Sequence, residues 1–424
     1  MSELQPSPLM AGDRHLSVAE ARAAIAAALR PIEGRESLPL AETLGRVLAD
    51  DLISPIDVPA HDNSAMDGYA FAGAALHADH ACRLTVVGTV LAGKPFDGTV
   101  AAGECVRIMT GAVMPAGADS VVPLELCHID GATVQVEPGV IEPGENRRRR
   151  GEDLARGQAA LRAGRVLKPA DLGLAASLGL RELVVMRRLR VALFSTGDEL
   201  RAPGEPLAPG CIYDSNRSAL QAALQRLGVE VVDLGLVRDD RAALQATLEA
   251  AVAQADVVLT SGGVSVGDAD HTRELLGQMG EVAFWKVAMR PGRPFAFGPL
   301  HARSAGSSSW LFALPGNPVA ALVSFYAFVR EALLLLAGAN PEPLPVLQAR
   351  CTAAIRKRPG RTEFQRGIVE PGADGAWQVR ITGAQGAGIL RSMSEANALV
   401  VLRHEQASVA AGDPVDVWLF DGLT

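Results

Sequence analysis

The sequence predicts a multidomain protein in which an α/β unit lies between β-rich units. Three observations carry this expectation. The chain has 424 residues, more than one hydrophobic core usually supports, so three or four domains are expected. From residue 189 onward, short apolar runs alternate with amphipathic helical patterns, the rhythm of a parallel sheet with right-handed crossovers. On either side, at residues 83–142 and after Pro341, short β-branched runs alternate with Gly and Pro turns.

The elements follow in chain order. Ser17 and Glu20 form a capping box that opens a helix ending near Leu29, where Pro31 stops it. Pro55 and Pro59 make residues 48–60 an extended linker. Residues 84–87, 105–108, 120–123 and 133–136 read as strands of a small β domain. Residues 144–157 are polar, and a helical pattern returns at 170–178. In the α/β unit, residues 190–194 and 230–234 are strands around a helix, 218–227, with Leu220, Leu224 and Leu227 on one face. A second helix, 241–253, aligns Leu244, Leu248 and Val252 and leads to a strand at 257–260. Strands at 346–355, 363–369, 377–382, 398–403 and 415–420 suggest a C-terminal barrel or sandwich.

Composition narrows the function. A net charge of −8 argues against general nucleic-acid binding, and the basic run Arg147 to Arg150 reads as a solvated loop. The cysteines Cys82, Cys105, Cys127, Cys211 and Cys351 are scattered, odd in number and without a C-x-x-C pair. Neither a disulfide frame nor a thiolate zinc site is expected, which fits a reducing cytoplasm. The N-terminus has no basic-then-apolar signal pattern. The longest apolar stretch, residues 319–339, holds Arg330 and Glu331 centrally. Two charges at a bilayer centre would cost about 5–7 kcal/mol. A buried helix, with no membrane, is the expectation.

The chemistry concentrates in glycine-rich loops. TSGGVSVGDAD, residues 260–270, follows an apolar run and precedes a helical pattern. Its glycines permit close backbone approach to a ligand, and turn and helix-start amides attract anions. Asp268 and Asp270 stand beside it, so either a cation bridges a bound phosphate or the aspartates simply cap the turn. Ser195-Thr-Gly-Asp-Glu199 and Leu314-Pro-Gly-Asn-Pro318 leave strands at the same sheet edge, where α/β proteins bind ligands. Gly88 to Lys94 nearly spells a Walker A loop, but Pro95 stands where a magnesium-binding hydroxyl is needed. No G-x-G-x-x-G fingerprint occurs, which disfavours a dinucleotide-binding oxidoreductase.

Seven motifs occur in order: DNSAMDGYA (62–70), IMTGA (108–112), RRRGED (148–153), STGDEL (195–200), DSN (214–216), SGGVSVGDAD (261–270) and LPGNP (314–318). Together they closely resemble the molybdopterin molybdenumtransferase family, MoeA, which includes the E domain of gephyrin. The resemblance covers nearly the whole chain. It implies a discontinuous domain I (1–60 and 147–187) and an inserted β domain II (61–146). It further implies a doubly wound, molybdopterin-binding-like α/β domain III (188–338) and a β-barrel domain IV (339–424). It implies an elongated homodimer whose clefts combine domain III of one protomer with domain I and II loops of the other. The implied reaction transfers molybdenum from molybdate to the dithiolene of adenylylated molybdopterin and releases AMP, with Mg2+. The upstream adenylyltransferase and recipient molybdoenzymes are further implied partners.

The matching catalytic positions are Asp62, Thr110, Asp153, Glu199, Asp239 and Asp270, with Glu199 and Asp270 as metal ligands. The matching cofactor-binding positions are Ser195, Thr196, Gly197, Asp214, Ser215, Asn216, Ser261, Gly262, Gly263, Ser265, Gly267, Pro315, Gly316, Asn317 and Pro318. Lys286, Arg290 and Arg293 complete them as the expected molybdate site, beside free amides at the helix start after LPGNP. Asp153 and Asp239 can equally be read as helix caps, Thr110 as a strand-end hydroxyl, and Pro315 and Pro318 as turn-shaping residues. The sequence departs from many relatives at Ala387, where a domain IV loop usually carries serine. A dimeric scaffold that kept the fold, or an adenylyltransferase of the same pathway, are the alternative functions.

Overall fold

The computed structural model describes residues 15–263, 270–301, 308–341 and 344–420. At its centre is a seven-stranded sheet. In spatial order the strands are His15–Leu16, Ala283–Val287, Pro294–His301, Ser308–Leu314, Val257–Ser261, Arg190–Thr196 and Glu230–Val237. The last four run parallel. The strand Pro294–His301 runs antiparallel to both neighbours, so the sheet is mixed rather than parallel throughout. The reason is local. A parallel step needs a crossover of a dozen or more residues, and residues 283–294 contain no helix to make one.

Period-2 alternation splits this sheet into two apolar faces. Val191, Leu193, Val257 and Leu259 face the helices Val18–Ala28, Ser215–Arg226 and Pro318–Ser324. Ala192, Phe194 and Val258 face the helix Arg241–Gln254 and the helix Asp270–Met279. Leu220 and Leu224, then Leu244, Leu248 and Val252, supply the helical stripes. The unit is doubly wound. The apolar stretch Pro318–Leu336 is a helix of this core with 72% of its most hydrophobic window buried, as its central charges implied.

The capping box at Ser17 forms as expected: its hydroxyl accepts from the Glu20 amide, and its own amide donates to the Glu20 carboxylate. That helix, however, packs on the central sheet through Val18, Ala21 and Ile25. The strand His15–Leu16 pairs with Lys286 and Val287 and so ties this N-terminal segment, expected in domain I, to the α/β unit.

Residues on both sides of the β insertion pair with one another. Arg35–Pro39 pairs with Glu182–Met186, and Leu52–Ile53 with Ala159–Leu161. Leu48, Leu161, Leu167, Leu183 and Val185 fill the small core between them. The insertion is a six-stranded sheet in the order Ser120–Pro123, Gly68–Phe71, Glu104–Ile108, Cys82–Val90, Thr133–Val136 and His128–Asp130. At the C-terminus, Thr362–Pro371 pairs with both Trp377–Ile381 and Ala398–Leu402, and the strands close into a barrel. All five cysteines are free thiols.

One ion pair joins domain I to the central sheet. Arg187 Nη1 and Nη2 donate to the two Asp256 oxygens at 2.9 and 2.7 Å, and Arg187 Nε donates to the Glu33 carbonyl. Burial alone would raise the Asp256 carboxyl. The hydrogen bonds from Arg187 and the Arg190 amide outweigh it and hold the group below its ordinary value of 3.8. A lowered folded-state pKa stabilises above that value and is lost as pH falls through and below it. Asp256→Ala is expected to cost about 2–3 kcal/mol, just under the usual penalty for breaking a buried pair because Arg187 stays partly exposed. Urea unfolding of both proteins checks this. The gap should hold from pH 5 to 8 and shrink as pH falls below about 4.

Candidate functional site

The parallel strands end in register: Ser195 lies opposite Ser261, and Ser261 opposite Leu314. Three loops therefore leave the carboxyl edge at one level, the usual ligand position in such sheets. They enclose a cleft of about 670 Å³, within the ~300–1,000 Å³ typical of small-molecule sites. Thr196, Gly197, Glu199, Asp214, Ser215, Asn216 and Asp239 line it, with Ser261, Gly262, Gly263, Pro315, Gly316, Asn317 and Pro318 opposite. Pro318 opens its helix at the first turn, where its missing amide hydrogen costs nothing.

Several of these residues build the cleft rather than face it. A Cβ at Gly262, whose φ is +95°, would lie 2.4 Å from the Thr196 carbonyl oxygen, so only glycine lets the two loops meet. Asn216 Nδ2 donates to Ser261 Oγ and to the Gly316 carbonyl, both at 2.7 Å, and so staples two of the loops to its own helix. Asp214 caps its helix through the Arg217 amide, pairs with Arg217 and accepts from Ser195 Oγ. At 1% exposure its charge is consumed internally. Of the expected cofactor-binding set, Ser195 is wholly buried beneath the cleft and does not line it.

What remains open to a ligand is narrower. Glu199 and Asp239 are exposed on the cleft, and neither carboxylate has a hydrogen bond or ion pair among the described residues. Asp239 is not a helix cap, since Asp240 accepts from the Ala243 amide and fills that role. Thr196 Oγ1 is buried on the cleft wall with no partner. Among the described residues, no three His, Cys, Asp or Glu cluster as a complete metal cage. Two open carboxylates still suit Mg2+, which takes one or two protein carboxylates and completes its shell with phosphate oxygens and water. Ser265, Gly267 and the side chain of Asp270 lie outside the described residues.

Asp62, Thr110 and Asp153 do not line this cleft. Asp62 accepts from Arg147 Nη2 at 2.9 Å and the Arg150 amide at 2.8 Å. Arg148 meets Glu152 and Arg150 meets Asp57, so the exposed basic run is an ion-paired loop as well as a solvated one. Thr110 donates both its amide and its hydroxyl to Asp67 Oδ1 at 2.7 Å, which holds the Asp67 carboxyl below the ordinary carboxylate range. Asp67 was not among the expected positions, although its motif was. Asp153 lies in a bend, not at a helix start, with its amide bonded to the Val58 carbonyl.

The expected molybdate segment takes a different place. Only Pro294 of that stretch lines the cleft; Lys286, Arg290 and Arg293 do not. Arg290 and Arg293 are exposed, with no acceptor among the described residues. Arg290 sits against the barrel through pairing with Glu363. Its field reaches Arg366, a fully buried guanidinium pushed down to about 10, first by burial and then by Arg290. Arg366 donates to Ser392 Oγ and to the Gly386 carbonyl, gripping the 383–388 loop. Gly388 of that loop lines the cleft. Ala387 contributes through its backbone, because its carbonyl accepts the Val319 amide. One supposedly free amide of that helix start is therefore taken. Nothing in the local sequence singles out Arg366, which follows Glu363 and Gln365 in a strand of mixed polarity.

Family comparisons agree along the length of the chain. Residues 16–179 match the MoeA N-terminal region (domains I and II), 192–334 the probable molybdopterin binding domain, and 348–420 the MoeA C-terminal region (domain IV). A molybdopterin molybdenumtransferase of Haemophilus influenzae is 41% identical over 92% of this chain and 94% of its own. Molybdopterin molybdenumtransferase 2 of Mycobacterium tuberculosis is 38% identical over 92% and 95%. The crystal structure of the molybdopterin biosynthesis moeA protein from Pyrococcus horikoshii OT3 superposes with a TM-score of 0.81. It is 28% identical and covers 96% of this chain and all of that one. The chain belongs to the MoeA family of molybdopterin molybdenumtransferases.

Proposed function

We propose that the sheet-edge cleft binds adenylylated molybdopterin, uses Mg2+, and exchanges the adenylate for molybdenum with release of AMP. The chain is a transferase of molybdenum cofactor biosynthesis. The observation that carries the finer reading is the pair of unpartnered carboxylates, Glu199 and Asp239, beside the Gly262-Gly263 turn and the orphan Thr196 hydroxyl. Bare carboxylates would repel a pyrophosphate; a shared divalent cation removes the conflict. When bound, Mg2+ supplies charge neutralisation for the phosphoanhydride. The chain's own residues do the rest. The glycine turn lets its backbone approach a phosphate closely, and Thr196 donates a hydrogen bond otherwise unmade. Glu199 and Asp239 would hold the cation, and a carboxylate on the cleft can also orient water at the anhydride. Arg290 and Arg293, exposed and without an acceptor among the described residues, supply the positive edge that a molybdate dianion requires. Lys286 stands on the same segment, one strand position from that edge.

We further propose a cytoplasmic homodimer in which Asp62, Thr110 and Asp153 complete the partner's cleft. Their loops are internally braced yet contribute nothing to the cleft of their own chain.

Glu199→Gln is expected to lower AMP release at least about tenfold, ~1.4 kcal/mol of barrier, with unfolding unchanged. Chelation of divalent cations should stop release in the wild type, and added Mg2+ should restore it. Turnover at the wild-type rate in the variant would remove Glu199 from the chemistry. For the dimer, Asp153→Asn and Glu199→Gln proteins, each inactive alone, should regain activity after subunit exchange. One cleft of each heterodimer then carries neither defect. If exchange is verified by mass and no activity returns, each cleft is built by one chain.

A further inference from the structure

A second cavity lies at the opposite edge of the same sheet. Its volume is about 690 Å³, and no residue lining it lines the cleft. Arg187, Arg188 and Leu189, at the start of the strand Arg190–Thr196, form one wall. The strand's seven residues put the two sites about 20 Å apart. The helix Ser215–Arg226 spans the same distance, beginning at the cleft and ending at this cavity with Arg226.

The lining is basic. Arg46, Arg165, Lys168, Arg187, Arg188, Arg226 and Arg330 contribute, and no Asp or Glu does. Three of these are matched from outside the cavity: Arg46 by Glu36, Arg165 by Asp171 and Arg187 by Asp256. The Lys168 charge also acts on Asp171. Arg188 donates to a neutral acceptor, the Gly228 carbonyl. Arg226 and Arg330 meet no acceptor among the described residues, and Arg330 Nε is buried without one. The helices Ser215–Arg226 and Arg330–Leu336 both end here, and their C-termini together carry roughly one negative charge. Three unmatched guanidinium groups exceed that by about two charges, so the cavity keeps a net positive field. Leu44, Val47, Leu227, Leu334 and Leu344 make the rest of its wall apolar.

We propose that this cavity is a second ligand site, which takes a small organic phosphate: a dianion set against Arg188, Arg226 and Arg330, with a carbon skeleton on the leucine wall. Guanidinium forks match phosphate oxygens geometrically, and a bound oxygen would satisfy the buried Arg330 Nε. The site is independent of the chemistry proposed for the cleft.

The test is calorimetry on the full-length protein at pH 8 with phenyl phosphate, which is dianionic there, and with inorganic phosphate as the probe lacking an apolar body. Wild type should bind phenyl phosphate more tightly than inorganic phosphate. Arg226→Ala, a change at an exposed side chain, should weaken phenyl phosphate at least about tenfold and leave AMP release unchanged. Arg330→Met should do the same, and Arg290→Ala, beside the cleft, should not. Loss of binding in Arg290→Ala with retention in Arg226→Ala would place the anion at the cleft and overturn the proposal. So would absence of binding at millimolar probe. Dissociation of a wild-type dimer by Arg226→Ala would overturn it too, by making the cavity an interface between two copies.

Discussion

The site rests on the register of three parallel strands. Ser195, Ser261 and Leu314 lie side by side at the carboxyl edge because Val191 to Leu193, Val257 to Leu259 and Trp310 to Phe312 pair in step beneath them. A slip of one residue would exchange Leu193, Leu259 and Phe312 with the Ala192, Val258 and Ala313 set of the opposite face, and neither core would then pack. Burying side chains of that size stabilises by about 1.5–3 kcal/mol each, so the register is strongly held. The loops inherit that precision. Asn216 then fixes the spacing between two of them and its own helix, and Gly262 allows the contact that a side chain would block. The cleft is thus pre-formed by the core.

That arrangement divides labour among polar groups that resemble each other in sequence. Asp214 and Glu199 are both acids in motif positions, but burial and partners separate them. Asp214 is enclosed by Arg217, Ser195 and its helix amides, whereas Glu199 has water and the cleft. Only the second can take a cation without breaking the fold. The same logic separates Arg366, buried and gripping a barrel loop, from Arg290, whose guanidinium is open. The barrel is therefore tied to the cleft by a backbone bond from Val319 to Ala387 and by a buried cation. A hydroxyl at position 387 is not needed for that tie.

Much of the fold was legible in the sequence. The helical stripes of Leu220 and Leu224, and of Leu244, Leu248 and Val252, bury as their spacing required. The five C-terminal strands lie where β-branched runs placed them. Two features were not legible. The antiparallel strand Pro294–His301 departs from the parallel rhythm of the α/β unit, because direction depends on what connects strands rather than on their composition. The two-residue strand His15–Leu16 is too short to carry a periodic signal, yet it decides where the N-terminal helix packs. In the site, the sheet-edge loop motifs marked most residues that gather at the cleft, but Asp62, Thr110, Asp153 and the Lys286 to Arg293 segment lie elsewhere, and the motifs did not tell which side chains remain free. The staple role of Asn216, the Ser195 contact of Asp214 and the Arg147 pairing of Asp62 depend on partners 45, 19 and 85 residues away, contacts that local pattern does not encode.

The most direct measurement of where the chemistry sits is anomalous diffraction at the manganese edge from crystals holding Mn2+, a hard oxygen-seeking substitute for Mg2+, together with AMP. A single strong peak is expected within about 2.5 Å of a Glu199 or Asp239 carboxylate oxygen, with the AMP phosphate beside the Ser261 to Gly263 turn. A peak held instead by Asp62 and Asp153 of the same chain, away from that turn, would contradict the assignment of the sheet-edge cleft as the catalytic centre.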